Sequence, residues 1–251
     1  MRLYRLDSGY ALAADGVLRR VVGDPFLSWT NGEVIAEGLD GQRLLAPVTP
    51  SKIVAVALNY RAHAAEQGKP LPPEPLFFLK PSTAVIGPGA PIVLPPGVGR
   101  VDHEAEMGLV IGRRASRVPP ERAGDYILGV TCVNDVTARA LQKTIGHYTR
   151  PKGFDTFAPV GPCIALGLDW SNLRVQGWVN GVLRQDSTTA DLIFTVPELV
   201  AFISSAMTLL PGDIISTGTP SGIGPLWPGD LVRVQVEGVG ALDNPVIGDR
   251  P

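Results

Sequence analysis

Residues 103–112 read His-Glu-Ala-Glu-Met-Gly-Leu-Val-Ile-Gly. In an extended chain successive side chains point to opposite faces, so Ala105, Met107, Leu109 and Ile111 share one face. Glu104 and Glu106 share the other with Gly108 and Val110. The apolar face anchors the segment in a core. Two carboxylates at i and i+2 then stand about 7 Å apart at Cα, near enough to converge on one ion. Unpaired they repel, and a hard divalent cation such as Mg2+, Mn2+ or Ca2+ relieves that repulsion. Taken alone, the same pattern describes an edge strand with two solvated glutamates more readily than a site.

Outward from this strand, an apolar run at 127–133 ends at Asn134-Asp135, ahead of a helix expected over 137–143. Asp135 at the strand's end is placed to supply a third ligand, or simply to cap that helix. Lys152 and Asp155 lie in Lys-Gly-Phe-Asp-Thr-Phe-Ala-Pro, a solvated loop in isolation. Beside a metal, the lysine could neutralise a bound carboxylate or polarise a carbonyl. His63 and Glu66 stand i, i+3 on a short helix at 60–67, capped by Asn59 and stopped at Gly68. A carboxylate orients an imidazole and raises its basicity, which suits a base for water or a C–H proton. The pair reads equally as an exposed helix face. Prolines at 72 and 73 follow, so the helix could move as a lid. The stretch 216–224, Ser-Thr-Gly-Thr-Pro-Ser-Gly-Ile-Gly, could cradle an anion with its amides. It lacks the lysine of a nucleotide P-loop, and the chain has no Gly-x-Ser-x-Gly elbow.

The whole chain of 251 residues is 45% hydrophobic and 18% charged, with a net charge of -2. That supports one sizeable core, excludes a disordered chain and argues against nucleic acid as a partner. No apolar run approaches the roughly 18 residues that span a bilayer, and the first twenty residues lack a signal core. Cys132 and Cys163 are too few for a disulfide framework and read as buried thiols in a reducing cytoplasm. With 29 glycines and 24 prolines, short elements joined by tight turns are expected. Strands are read at 2–6, 10–14, 17–22, 52–58, 76–79, 173–179, 214–217 and 231–236, and a helix at 196–207 behind Thr195. The fold class is therefore mainly β with short helices (α+β). A small N-terminal β subdomain is expected over residues 1–50 and a catalytic metal-binding domain over 51–251.

Taken together, these motifs resemble the fumarylacetoacetate hydrolase family. The resemblance is carried by Asn-Tyr-x-x-His-x-x-Glu (59–66), Lys-Pro-Ser-Thr-Ala-Val-Ile-Gly-Pro-Gly (80–89), His-Glu-x-Glu, Asn-Asp-Val-Thr-Ala-Arg (134–139), Lys-Gly-Phe-Asp-Thr-Phe-Ala-Pro and Thr-Gly-Thr-Pro-x-Gly (217–222). It runs from about residue 51 to 247. It implies a mixed β-roll, usually a homodimer, with Glu104, Glu106 and Asp135 as ligands of Mg2+ or Mn2+, and Ca2+ as a substitute. It implies a dyad of His63 and Glu66, Lys152 close to the substrate's oxygens, and substrate contacts from Gln142, Thr219, Asp155 and Lys80. Ala140 departs from the acidic residue many members carry there, and Pro151 from a frequent serine. Neither removes a proposed ligand.

The family's substrates share a 2-oxo acid or 1,3-dicarbonyl unit. The expected reaction is isomerisation or decarboxylation of a 5-carboxymethyl-2-hydroxymuconate-type dienedioate in aromatic catabolism. The alternative is an acylpyruvate hydrolase or an oxaloacetate decarboxylase. A third reading is a non-catalytic small-molecule binding protein on the same scaffold. A cytoplasmic protein without membrane or nucleic-acid partners is expected.

Overall fold

The alternating segment becomes the strand Ala105–Ile111, and it lies deep inside a large sheet rather than at an edge. The structure, a computed structural model, describes residues 1–249. Ile127–Asn134 pairs antiparallel on one side of this strand and Ile214–Ser216 on the other. Both of its edges are therefore paired, and both of its faces are buried. Ala105, Met107, Leu109 and Ile111 enter one apolar cluster, and Val110 a second on the opposite face. Burying each large side chain contributes about 1.5–3 kcal/mol, so the strand is held firmly in register. The two glutamates are carried along into the interior, and the solvated-edge reading fails for that reason.

The large sheet has eleven strands. It continues from Ile214–Ser216 through Ile53–Ala57, in parallel, to Leu76–Lys80 at one edge. In the other direction Ile127–Asn134 leads to Ala158–Ala165 and then to the N-terminal meander. That meander consists of Arg2–Leu6, Gly9–Ala14, Val17–Asp24 and Ser28–Ala36. Arg2 pairs with Ala165, so the first strand extends the same sheet. Leu3, Leu12 and Val21 share an apolar cluster with Ile53, Val110 and Ile214.

A five-stranded sheet, ordered Val182–Thr188, Arg174–Val179, Leu231–Val236, Gly240–Gly248 and Ile92–Leu94, packs over the first. Its Val175, Val234, Val236 and Leu242 meet Met107 and Leu109 in one cluster, the inner layer between two faces. A small third sheet joins Thr137–Ala138, Val101–His103 and Gly224–Pro225. Both Pro-Gly-Asp triplets form turns of one kind. Gly212 and Gly229 have φ of +84° and +98°, and the aspartate N–H bonds back to the carbonyl of Leu210 or Trp227. Among the described residues no helix is long and apolar enough to cross a membrane.

Two local expectations change. The helix expected over 137–143 is Arg139–Ile145, because Thr137 and Ala138 pair with Val101–His103 first. The short helix Arg61–Glu66 has Tyr60, not Asn59, at its N-cap. Asn59 is fully buried and spends its amide on Thr217 O (2.8 Å) and its oxygen on Phe194 N (2.8 Å). It joins two distant loops instead of capping a helix. Gly68 ends the helix as expected, at φ +61°.

Candidate active site

The site grows from three strand ends. Glu104 precedes Ala105–Ile111, Glu106 lies within it, and Asp135 follows Ile127–Asn134. The pairing Ala105 with Asn134 puts these ends side by side, and Asp135 N donates to Glu104 O at 2.9 Å. One carboxylate oxygen from each of Glu104, Glu106 and Asp135 lies within 4.8 Å of the others. All three residues are buried. Three buried hard oxygen donors that converge fit a divalent cation such as Mg2+ or Mn2+.

The carboxylates differ in their partners. Glu104 faces Arg139 and Lys152, whose Nζ lies 2.8 Å from Oε2. Burial opposes its ionisation, but these two cations outweigh it and hold the carboxyl well below the usual carboxylate range. Asp135 is gripped from two sides, by Lys80 and by Lys152. Among the described residues no cation is paired with Glu106. Its Oε2 accepts from Ser216 Oγ at 2.6 Å and from Gly218 N at 2.9 Å. Burial first, then the charges of Asp135 and Glu104, push its pKa up to about 8. A bound cation would offset that cost most directly at Glu106.

Glu104, Glu106 and Lys152 line a cavity of about 560 Å³. Lys152 ends the short helix Thr149–Lys152, buried, with its ammonium 5.0 Å from the centroid of Phe78. His63 and Thr219 line the same space, and Gln142 stands in its wall with Oε1 taken by Arg139. Exposed Lys69, Lys143 and His147 lie around the mouth. His63 is buried, with Nδ1 2.8 Å from Glu66 Oε2. An ionised carboxylate only accepts, so in the neutral imidazole the proton sits on Nδ1 and the lone pair on Nε2. Gln67 Nε2 donates to that lone pair at 2.7 Å. Leu58, just before this helix, holds a left-handed φ of +51° and also lines the cavity. An L-residue there costs of order 1–2 kcal/mol, carried by the buried strand before it.

Two expected substrate contacts fall elsewhere. Lys80 is fully buried outside the cavity wall, with its ammonium 2.5 Å from Asp135 Oδ1 and 3.3 Å from Val136 O. It braces a carboxylate and a main-chain carbonyl. Asp155 is exposed on the turn after Lys152 and is absent from the cavity wall.

Several residues that hold the site escape the sequence reading. Arg139 spreads its guanidinium over Asp102, Glu104 and Gln142. Its signal was a cation four residues past Asp135, at a strand-to-helix junction. Asp102 is fully buried between Arg100 and Arg139, one residue before a histidine. Gln185 arrives from the other sheet and carries no local signal.

The chain is similar to known proteins along most of its length. Residues 52–247 match the profile described as fumarylacetoacetate (FAA) hydrolase C-terminal. A 5-carboxymethyl-2-hydroxymuconate delta-isomerase structure from Mycobacterium smegmatis superposes with a TM-score of 0.90 and 43% identity, covering 99% of this chain and 100% of that one. Maleylpyruvate hydrolase from Sphingobium sp. SYK-6, solved with manganese (II) ion and pyruvate, gives 0.81 and 32%, covering all of both chains. A mitochondrial oxaloacetate tautomerase of Xenopus laevis is 39% identical over 217 residues, 81% of this chain and 68% of that protein.

Proposed function

Because the chain belongs to the fumarylacetoacetate hydrolase family, we propose that it is a divalent-metal-dependent enzyme that moves a proton on a 2-oxo dicarboxylic acid. The favoured substrate is a 5-carboxymethyl-2-hydroxymuconate-type dienedioate, isomerised or decarboxylated through an enolate. The observation that carries this reading is that Glu104 and Glu106, two of three converging carboxylates, line the same cavity as the His63 imidazole.

Mg2+ or Mn2+ held by Glu104, Glu106 and Asp135 would supply Lewis acidity at the 2-oxo group and favour the enolate. His63 Nε2 takes the proton from the carbon next to that group, displacing the Gln67 amide from its lone pair. Glu66 stabilises the imidazolium through Nδ1–H. The same nitrogen returns the proton at another carbon, which completes an isomerisation with no net change in composition. Lys152 sets a positive charge beside Glu104 and the cavity, where negative charge on substrate oxygen is stabilised. Lys69, Lys143 and His147 at the mouth suit a second, distal carboxylate.

Three relatives support the shared chemistry, since their names describe an isomerase, a tautomerase and a hydrolase. The hydrolase keeps a second reading open, in which His63 activates water and a C–C bond of an acylpyruvate breaks. Incubation with Mg2+ in D2O, followed by mass spectrometry and proton NMR, separates these paths. Deuterium incorporation into an isomer of unchanged skeleton, or loss of CO2, is expected from a dienedioate. Pyruvate plus a carboxylic acid would favour hydrolysis, and no turnover of any 2-oxo acid would overturn the enzyme reading. The family likeness also supports a homodimer, which light scattering tests.

A further inference from the structure

We propose that Gln185, a residue of the second sheet, is a positioning residue that sets Glu104, Glu106 and the Thr219 loop against one another. The inference rests on reading the three carboxylates as a metal site.

The reason lies in the main chain between the two glutamates. Thr217 N donates to Met107 O at 3.0 Å, which continues the pairing of Ala105–Ile111 with Ile214–Ser216. There the neighbour stops, because the chain turns at Gly218 with φ +96°. Ala105, two residues further on, meets side chains instead of a strand. Gln185 Oε1 accepts from Ala105 N at 2.9 Å, and Thr219 Oγ1 donates to Ala105 O at 2.9 Å. Gln185 Nε2 closes the ring by donating to Thr219 Oγ1 at 2.7 Å and to Pro220 O at 2.8 Å.

Every direction in this ring is determined. A main-chain N–H only donates and a carbonyl only accepts, so the amide has one orientation. Its oxygen also takes His103 Nδ1 at 3.0 Å. All four hydrogen-bonding positions of the amide are filled in a side chain with no exposed surface. Thr219 gives its hydroxyl hydrogen to Ala105, so it faces a ligand with main chain and a lone pair only. The reach depends on Gly177, the cross-strand partner of Gln185. A Cβ at Gly177 would lie 2.8 Å from Gln185 Oε1 and 3.1 Å from Ala105 Cβ. One amide thus replaces the missing strand at the single residue flanked by both glutamates.

The test titrates Mn2+ calorimetrically into the wild-type protein and into Gln185→Met, Gln185→Glu and Gly177→Ala. Melting temperatures, Mn2+ EPR spectra, and kcat and KM on a 2-oxo acid that the wild type turns over accompany each titration. Partners behind metal ligands typically account for about 10- to 100-fold in affinity or activity, and a Mn2+ affinity loss of that size is expected for Gln185→Met. Gln185→Glu keeps an acceptor for Ala105 but sets an oxygen against Pro220 O, so its KM rises more than its metal affinity falls. Asp213→Asn serves as a destabilised control. Its buried carboxylate accepts from Ser51 N, Lys52 Nζ and Leu210 N, at the end of Ile214–Ser216 away from the site. It melts earlier and keeps wild-type Mn2+ affinity. Folded Gln185→Met with unaltered affinity, EPR spectrum and KM overturns the proposal. If that variant does not fold, unaltered affinity and KM in both Gln185→Glu and Gly177→Ala overturn it. Wild-type protein that takes up no Mn2+ overturns the metal reading itself.

Discussion

Gly222 donates its main-chain N–H to Glu66 Oε1 at 3.0 Å, and so ties the helix that carries His63 to the loop that carries Thr219. The other oxygen of the same carboxylate holds His63 Nδ1. Glu66 thus orients the imidazole and joins two walls of the cavity at once. Its two tasks separate by substitution. Glu66→Gln retains an acceptor for Gly222 but removes the charge facing the imidazole. A fall in kcat of about tenfold or more, with KM nearly unchanged, is expected, and His63→Gln should lose roughly 100-fold or more. Glu66→Ala releases the loop too and raises KM. Steady-state kinetics on the three variants checks the split, with Mn2+ affinity unaffected in all of them.

Glu106 gives a different signature. Its carboxyl is buried, hydrogen-bonded to Ser216 and Gly218, and among the described residues is paired with no cation. Glu106→Gln keeps an oxygen for both donors while removing a buried charge that ionises with difficulty. Metal-free stability should therefore stay within roughly 1 kcal/mol of wild type or rise. Mn2+ binding and turnover should be lost together. Calorimetric melting with and without Mn2+ checks both. A large fall in metal-free melting temperature would show that the carboxylate is a structural element.

Period-two alternation fixes which side chains share a face, so it places Glu104 and Glu106 together, and the apolar run before Asp135 marks a strand end. That the three carboxylates form one ligand set came from the resemblance to the family, because the alternation alone favours two solvated glutamates. The depth of the strand was not legible. An alternating pattern with small and acidic residues on one face fits an edge equally well, and only the strands paired on both edges and the clusters packed on both faces bury it. Asn59 shows the same limit, since its cap-like position says nothing of Thr217 and Phe194, more than 130 residues away. Lys80 and Gln185 likewise act at a distance, on Asp135 and Ala105, 55 and 80 residues along the chain. A side chain that works through a distant main-chain group leaves no local spacing to read.

Lys80 tests what holds Asp135. It is fully buried, and its ammonium faces Asp135 Oδ1 and Val136 O. Removing one partner of a buried pair typically costs about 3–5 kcal/mol, because the other charge is left uncompensated. Lys152 still faces Asp135, so Lys80→Met should fall toward the lower end. At about 2–4 °C per kcal/mol for a chain of this size, a loss of roughly 6–12 °C in Tm is expected. Saturating Mn2+ should recover part of it, since a cation then faces the stranded carboxylate. Differential scanning calorimetry with and without Mn2+ is the check. Melting unaltered by Lys80→Met would mean that Lys152 alone neutralises Asp135.

The mouth of the cavity tests the dicarboxylate. Lys69 follows the helix of His63, and Lys143 lies on Arg139–Ile145, so the two lysines come from separate elements that line one opening. Both are exposed, and an exposed charge contributes at most about 1 kcal/mol, roughly a fivefold effect. Lys69→Gln and Lys143→Gln should each raise KM for a 2-oxo dicarboxylate by no more than that, and the double variant by about the product. KM for a matched 2-oxo monocarboxylate should not change. Because these charges face solvent, the wild-type preference for the diacid should shrink as salt rises and the Debye length falls below about 10 Å. Steady-state kinetics on the substrate pair at low and high ionic strength measures this directly. Equal loss for the mono- and dicarboxylate would place the lysines on approach of the anion rather than on its distal group.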